Sequence, residues 1–145
     1  MQLKQIDVRN FRLLNNVCLL LEKTVTVIVG RNNTGKTSLT EVMKRVLLEN
    51  GATFRLEDFS FPTHQQFWDA FLSCTKNAAE EEIRKGLPSI DVRLTFSYEK
   101  TEELGVLNEF IVDLDPNCTE AVVAMRYSLK DGKLKEFFAD LTETD

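Results

Sequence analysis

The residues of this sequence best suited to chemistry lie in one short run, residues 30–38, which reads Gly-Arg-Asn-Asn-Thr-Gly-Lys-Thr-Ser. The run fits the pattern G-x-x-x-x-G-K-[ST], in which backbone amides surround the phosphates of a nucleoside triphosphate. Gly30 and Gly35 stand where the chain must turn sharply or approach the phosphates, because a residue without a Cβ leaves room there. The pattern therefore predicts a phosphate-binding loop.

Two side chains of the loop are predicted to act directly on the ligand. The Lys36 ammonium would reach the β- and γ-phosphates as a point charge, and the Thr37 hydroxyl would join the ligands of a Mg²⁺ ion. The helix that begins near Gly35 adds unpaired amides and its positive dipole end. Lys36 and Thr37 are thus the candidate catalytic residues, with Thr37 as the metal ligand. The loop's predicted ligand-binding residues are Gly30, Asn33, Thr34, Gly35, Lys36, Thr37 and Ser38.

The sequence predicts an element on each side of this loop. Residues 25–29, Val-Thr-Val-Ile-Val, are β-branched throughout and apolar at four of five positions, which is typical of a strand buried on both faces. After the loop, an apolar stripe recurs at helical spacing and consists of Leu39, Val42, Met43, Val46 and Leu47. This stripe predicts an amphipathic helix of about four turns that ends in a glycine cap at Asn50-Gly51.

An antiparallel pair of strands is predicted before this unit. Residues 5–11 place Ile6 and Val8 on one face, and residues 17–21 alternate in the same way. The intervening Leu14-Asn15-Asn16 contains residues that tolerate the left-handed turn conformation. We therefore expect an opening hairpin with its turn at these residues.

Beyond the loop and its helix, the sequence predicts a second helix and a third strand. Thr63 and Gln66 have the spacing of a capping box, and the residues that follow share one helical face: Phe67, Ala70, Phe71 and Cys74. This helix extends to about Gly86 unless Lys76-Asn77 breaks it. Residues 90–98 alternate between apolar and polar side chains, which is typical of a strand with one solvated face.

A third helix and a closing hairpin complete the prediction. Thr101 can cap a helix with apolar residues at Leu104, Leu107, Ile111 and Leu114, closed by Asp115-Pro116. Residues 121–129 and 133–139 read as two strands joined by Asp131-Gly132, a strong two-residue turn signal.

Composition excludes several classes of protein. The 145 residues carry 18 Lys plus Arg against 23 Asp plus Glu, a net charge of −5, which argues against binding nucleic acid by charge alone. No apolar stretch approaches the ~20 residues that span a bilayer, and the N-terminus lacks the order of a secretory signal. Three widely spaced cysteines and one histidine argue against a zinc site and against a catalytic Cys/His pair. We expect a cytoplasmic protein with no membrane partner.

These motifs together resemble a known family. The first part of the chain is similar to the start of the ABC-type head domains of RecF, SMC and OLD-family ATPases. The similar segments are residues 6–12 (Ile-Asp-Val-Arg-Asn-Phe-Arg), the hairpin, residues 25–29 and the loop through Leu39. Two features favour the OLD-like branch of this family: the loop sequence Asn-Asn-Thr-Gly-Lys-Thr and the later Asp58-Phe59. In that branch the ATPase is commonly fused to a Toprim nuclease. The resemblance is specific over about residues 3–50 and loose beyond.

The resemblance implies a fold, cofactors and partners. The fold is α/β, a P-loop NTPase of ABC-ATPase-like N-terminal lobe type, with a mixed sheet and an antiparallel β extension. It implies ATP and Mg²⁺ as cofactors, a second ATPase head as dimer partner, and DNA processing or anti-phage defence through other parts of the protein. It places Asn32 near the γ-phosphate, with a plain loop turn as the alternative. It also suggests contact of Arg12 with the nucleotide, with an ordinary surface arginine as the alternative.

Two motifs of a complete head are absent from these 145 residues. The first is an apolar strand ending in Asp-Glu (Walker B), which Phe110-Ile111-Val112-Asp113 mimics only until Leu114 stands in place of the Glu. The second is the signature motif offered across a dimer. Gln65 or Gln66 could sense Mg²⁺, although helix capping explains them as well. We therefore expect residues 1–145 to form a single N-terminal ATPase lobe that also lacks any nuclease domain.

Two alternatives remain open at this point. A self-contained small-molecule or nucleoside kinase would carry the same loop, but it would need a cluster of acceptor-binding arginines, and the arginines here are scattered along the chain. A non-catalytic interaction module could retain the loop as a structural turn with an exposed Lys36.

Overall fold

The computed structural model describes residues 1–48, 53–99, 119–139 and 141. The described strands are β1 (Gln2–Phe11), β2 (Leu14–Leu20), β3 (Ile90–Ser97) and β4 (Glu120–Tyr127). The helices are α1 (Lys36–Leu47), α2 (His64–Thr75), α3 (Glu80–Gly86) and α4 (Leu134–Phe137), and two 3₁₀ turns cover Leu56–Asp58 and Phe61–Thr63. No helix within this described part is long and apolar enough to cross a bilayer.

The strands form one sheet in the order β2-β1-β3-β4, and every pairing among them is antiparallel. The alternation predicted for residues 90–98 is confirmed, since Ile90, Val92 and Leu94 are buried while Arg93 faces solvent. The α/β class is confirmed, but the predicted mixed sheet is wrong for the described strands. A parallel pair would have required a strand at residues 25–29, and none forms there.

Residues 25–29 are the clearest departure from prediction. They form no strand, and the side chains of Val25, Val27 and Val29 are 67%, 76% and 87% exposed. An apolar strand is buried on both faces only when other strands flank it and layers cover both faces. The four described strands pair with one another instead. None of them pairs with residues 25–29, so this segment lacks the flanking strands that a buried strand requires.

The opening hairpin is confirmed, but its turn lies elsewhere than predicted. Phe11 pairs with Leu14, which leaves Arg12 and Leu13 as the turn, and Arg12 adopts a positive φ of 49°. Asn15 and Asn16 belong to β2. Because Phe11 and Leu14 are both buried, this register places both in the core, whereas a turn at Leu14 would expose it.

The main core lies between the sheet and α1. Leu39 and Val42 of the helix pack with Ile6, Val8 and Phe11, as the stripe of apolar residues predicts. The helix has 12 residues and ends at Leu47. The predicted cap at Asn50-Gly51 lies outside the described residues.

A second apolar cluster forms around α2 and α3. The helix predicted after Thr63 is confirmed, and so is the break at Lys76-Asn77, where Asn77 has a φ of 57°. The predicted capping box is wrong, since no side chain caps α2 and the Thr63 hydroxyl donates to the Ser60 carbonyl at 2.7 Å. Because its hydroxyl is bound within the preceding 3₁₀ turn, the Thr63 side chain does not cap α2.

The predicted closing hairpin is also wrong. A turn occurs at Asp131-Gly132, but the residues after it form α4 rather than a strand. β4 pairs with β3 rather than with the residues that follow the turn. Leu134 and Phe138 are four residues apart, and both are buried against Phe71 and Ile83. Burial of this helical face therefore decides the conformation. The predicted third helix, including Phe110-Ile111-Val112-Asp113, lies outside the described residues.

Candidate functional site

Both glycines of the predicted loop occupy positions that a side chain would disturb. A Cβ on Gly30 would lie 2.9 Å from the Thr34 hydroxyl oxygen. Gly35 has a φ of 89°, and a Cβ there would lie 3.0 Å from Leu14 Cδ2. Asn33 also has a positive φ, 63°. The loop therefore curls tightly against the β1–β2 turn before α1 begins at Lys36.

The backbone amides of Asn33 and of residues 35–38 provide donors that an anion could use. The chain makes a tight turn at Asn32-Asn33, which the Thr34 amide closes. Within the described part of the chain, no bond to a protein acceptor is found for the amides of Asn33 and of residues 35–38, and the first bond of α1 runs from the Leu39 amide to the Gly35 carbonyl at 2.9 Å. Free amides at a helix N-terminus carry partial positive charge and favour phosphate groups. These residues therefore fit a polyphosphate.

The Lys36 ammonium lies across the loop. Its Nζ donates to the Gly30 carbonyl at 2.7 Å and to the Arg31 carbonyl at 2.5 Å. The Thr34 hydroxyl donates to the same Arg31 carbonyl at 2.9 Å. The Lys36 ammonium is therefore bound to the backbone of the loop itself.

The loop encloses a cavity of about 280 Å³. The structure brings together seven lining residues, Leu13, Asn32, Asn33, Gly35, Lys36, Thr37 and Ser38. Thr37 is exposed, so its hydroxyl is accessible to a metal ion, whereas Ser38 is buried. The described residues contain no group of three or more His, Cys, Asp or Glu side chains that could hold a metal. The role of Thr37 as a Mg²⁺ ligand stays a prediction.

Comparison with protein families identifies the chain. The model of the AAA ATPase domain matches residues 1–144. The chain belongs to this ATPase family. This match supports the prediction of a P-loop ATPase of the ABC/SMC-like kind. Membership of the family implies binding of ATP and usually of Mg²⁺. A search of curated proteins finds no match. The individual roles predicted for the loop residues stay predictions.

Arg12, predicted to bind the nucleotide of this ATPase domain, is bound to Asp58. Its Nε and Nη2 both lie 2.8 Å from Asp58 Oδ1, and its backbone amide donates to the Asp58 carbonyl oxygen at 2.7 Å. The guanidinium also lies 5.2 Å from the centroid of the Phe11 ring. Arg12 does not line the loop cavity, but its neighbour Leu13 does. A role of Arg12 toward the nucleotide stays a prediction.

Sequence reasoning missed the role of Asp58 in the ATPase domain. Its carboxylate is buried and also accepts hydrogen bonds from Arg45 Nη1 at 2.5 Å and from the Arg55 amide at 3.0 Å. Burial acts to raise the pKa of Asp58, but the bonds from Arg45, Arg55 and Arg12 outweigh it and lower the pKa below its ordinary value. The bond to Asp58 likewise raises the pKa of Arg45. No local pattern reveals this cluster, because Arg12 and Asp58 are 46 positions apart.

The two candidate Mg²⁺-sensing glutamines lie at the start of α2, and neither lines the loop cavity. Gln65 Nε2 donates to Asp69 Oδ1 at 2.9 Å, one turn along the helix. The capping role considered for them is not observed, since no side chain caps α2. A Mg²⁺-sensing role stays a prediction.

Proposed function

We propose that residues 30–38 bind MgATP and that the chain acts as the nucleotide-binding lobe of an ATPase head related to RecF, SMC and, most closely, OLD-family proteins. The single observation that carries this proposal is the set of free amides at Asn33 and residues 35–38, which lie at the start of α1 in the loop whose carbonyls bind the Lys36 ammonium. The match to the ATPase family over residues 1–144 supports ATP as the nucleotide.

Each loop residue then has a physical role. The amides and Lys36 hold the β- and γ-phosphates, and phosphate oxygens replace the Gly30 and Arg31 carbonyls as acceptors for the Lys36 ammonium. The Thr37 hydroxyl would hold Mg²⁺, and the ion would neutralise negative charge on the phosphates. Asn32 lines the same cavity, where its amide group can contact the γ-phosphate.

We further propose that hydrolysis needs a second head. The 145 residues contain neither an apolar strand ending in Asp-Glu nor a signature motif, so they lack a group that positions the attacking water. A second ATPase head would close over the γ-phosphate, and hydrolysis would reopen the pair. The coupled work would be DNA processing or anti-phage defence through other parts of the protein, a proposal that rests on the resemblance of residues 6–12 and 30–39.

Thermal unfolding with and without MgATP tests nucleotide binding. At a ligand concentration of 100 times the Kd, binding adds about 2.7 kcal/mol and raises the Tm of a domain of this size by roughly 5–10 °C. We expect Lys36→Ala to remove this increase. Lys44→Ala is the matched control, because Lys44 is an exposed lysine on the same helix and remote from the loop cavity. An equal increase in Lys36→Ala would contradict the proposal.

Phosphate release separates the proposed ATPase lobe from its alternatives. We expect the purified chain to bind MgATP and to release almost no phosphate. Robust turnover by these residues alone would contradict the need for a second head. Transfer of the γ-phosphoryl group to a metabolite would instead identify a kinase. Absence of any MgATP-induced stabilisation would identify an interaction module that keeps the loop as a structural turn.

A further inference from the structure

A buried carboxylate connects the two elements that contribute walls to the loop cavity, and the proposed chemistry does not use it. The first wall is the β1–β2 turn, where Leu13 lines the cavity and lies 3.6 Å from the position of a Cβ on Gly35. The second wall is the first turn of α1, which contains Lys36. Asp58, only 3% exposed, is bound to both elements.

Asp58 holds the turn through main chain and side chain together. The Arg12 amide donates to the Asp58 carbonyl oxygen at 2.7 Å, while the Arg12 guanidinium binds Oδ1 of the same residue. Two positions later, the Ser60 amide donates to the Asn10 carbonyl oxygen at 3.0 Å. The segment that carries Asp58 therefore fixes the turn on both sides of Phe11, next to Leu13.

Asp58 holds the helix through Arg45. Arg45 Nη1 binds Asp58 Oδ2, and Arg45 Nε binds Glu41 Oε1 at 3.0 Å one turn earlier. The Arg45 guanidinium also lies over the rings of Phe11 and Phe54, at 5.5 and 5.7 Å from their centroids. With a side chain that is 13% exposed and bound on several sides, Arg45 transmits the position of Asp58 to α1.

We propose that Asp58 is a positioning residue for the nucleotide site, an inference that rests on the proposed function. Its two carboxylate oxygens bind one arginine from the β1–β2 turn and one from the last turn of α1, and charge-assisted bonds of this kind are short and directional. They connect the β1–β2 turn to the last turn of α1. Because α1 is one continuous helix, this connection sets the position of its first turn relative to Leu13, and hence the width of the cavity that receives the phosphates. Arg12 acts on nucleotide affinity through Asp58 rather than by touching the nucleotide.

The Kd for MgATP, measured by calorimetry on the full chain below its Tm, tests this proposal. We expect Asp58→Asn and Arg12→Ala each to weaken binding about tenfold, which is typical of residues that orient a binding site from behind it. The double variant should bind no more weakly than either single variant, because both substitutions break the same connection. A solely structural role would lower the Tm without changing the Kd of the folded protein.

Ile83→Ala is the matched control for stability. Ile83 is 4% exposed and belongs to the cluster around α2 and α3, away from the loop. We expect this variant to lower the Tm while its Kd for MgATP stays that of the wild type. If Asp58→Asn does not fold, Arg45→Lys decides, because lysine keeps the charge but cannot bind Asp58, Glu41 and the Thr53 carbonyl together.

The remaining outcomes are distinct. A wild-type Kd in Asp58→Asn, or in Arg45→Lys if that variant is needed, overturns the positioning role while the proposed function stands. Additive losses in the double variant overturn the route through Asp58, because Arg12 would then contact the nucleotide itself. Failure of the wild-type chain to bind MgATP overturns the proposed function and this inference with it.

Discussion

Gly35 combines two constraints that separate it from an ordinary turn glycine. Its φ of 89° is costly for any residue with a Cβ, and the space that the Cβ would occupy is bounded by Leu14 Cδ2 at 3.0 Å. Leu14 is itself buried in the main core, so it cannot move away without loss of packing. The loop and the hairpin are therefore fitted to one another at this residue.

Substitution of Gly35 by alanine should separate these two constraints. We expect Gly35→Ala to lower the free energy of unfolding by about 2–3 kcal/mol, from the strained φ and the contact with Leu14 together. Gly132→Ala is the matched control, because Gly132 has a φ of 75° but nothing within 4 Å of its Cβ position. It should lose only about 1 kcal/mol. Urea unfolding measures both, and equal losses would refute the proposed contact between loop and hairpin.

At the scale of elements, α1 follows its sequence pattern while residues 25–29 do not. The apolar stripe of α1 packs against the sheet, and this contact buries one side of the helix. Residues 25–29 have equally apolar side chains, but no described strand pairs with them. Apolar composition alone therefore does not bury a segment, since burial also requires neighbouring elements.

Isosteric substitutions test the exposure of this segment. Val27 is 76% exposed, so Val27→Thr should change the free energy of unfolding by no more than about 0.5 kcal/mol. Val8→Thr is the comparison, because Val8 is fully buried in β1 and its replacement places a hydroxyl in the core. This change should cost about 1–3 kcal/mol. A comparable cost at Val27, measured by urea unfolding, would show that the segment is buried.

At the scale of the whole molecule, two apolar clusters are joined by aromatic side chains. The first lies between the sheet and α1, and the second surrounds α2, α3 and α4. Phe67 of α2 contacts Phe59 of the first cluster at a centroid distance of 5.0 Å, and it contacts Phe137 of the second at 5.9 Å. Phe67 therefore connects the part that carries the loop to the helical part.

Removal of this connection should weaken cooperative unfolding. Because Phe67 is half-buried, we expect Phe67→Ala to lower the free energy of unfolding by about 2 kcal/mol and to reduce the urea m-value as the two clusters begin to unfold separately. Phe61→Ala is the control, since Phe61 is 83% exposed. For Phe67→Ala, the urea unfolding midpoint measured by fluorescence should differ from the midpoint measured by circular dichroism, whereas the two midpoints should coincide for Phe61→Ala and for the wild type. Coincident midpoints with an unchanged m-value would argue against this role.

The sequence by itself determined the features that depend on residues close in the chain. The apolar stripe of α1 and the alternation in β3 each follow from spacing over a few positions, and both elements appear in the structure. The loop motif at residues 30–38 is equally local, and its phosphate-binding role stays a prediction. The break after α2 at Lys76-Asn77 belongs to the same class. Such features are local because backbone geometry repeats every two or 3.6 residues.

Only the tertiary structure decided the features that depend on contacts between distant residues. Burial of Phe11 and Leu14 moved the hairpin turn to Arg12-Leu13, and burial of Leu134 and Phe138 against α2 and α3 produced α4 in place of a strand. The carboxylate of Asp58 meets arginines 46 and 13 positions away. The energies of burial and of charge pairing depend on which segments meet in space, and the spacing of residues along the chain does not specify those meetings.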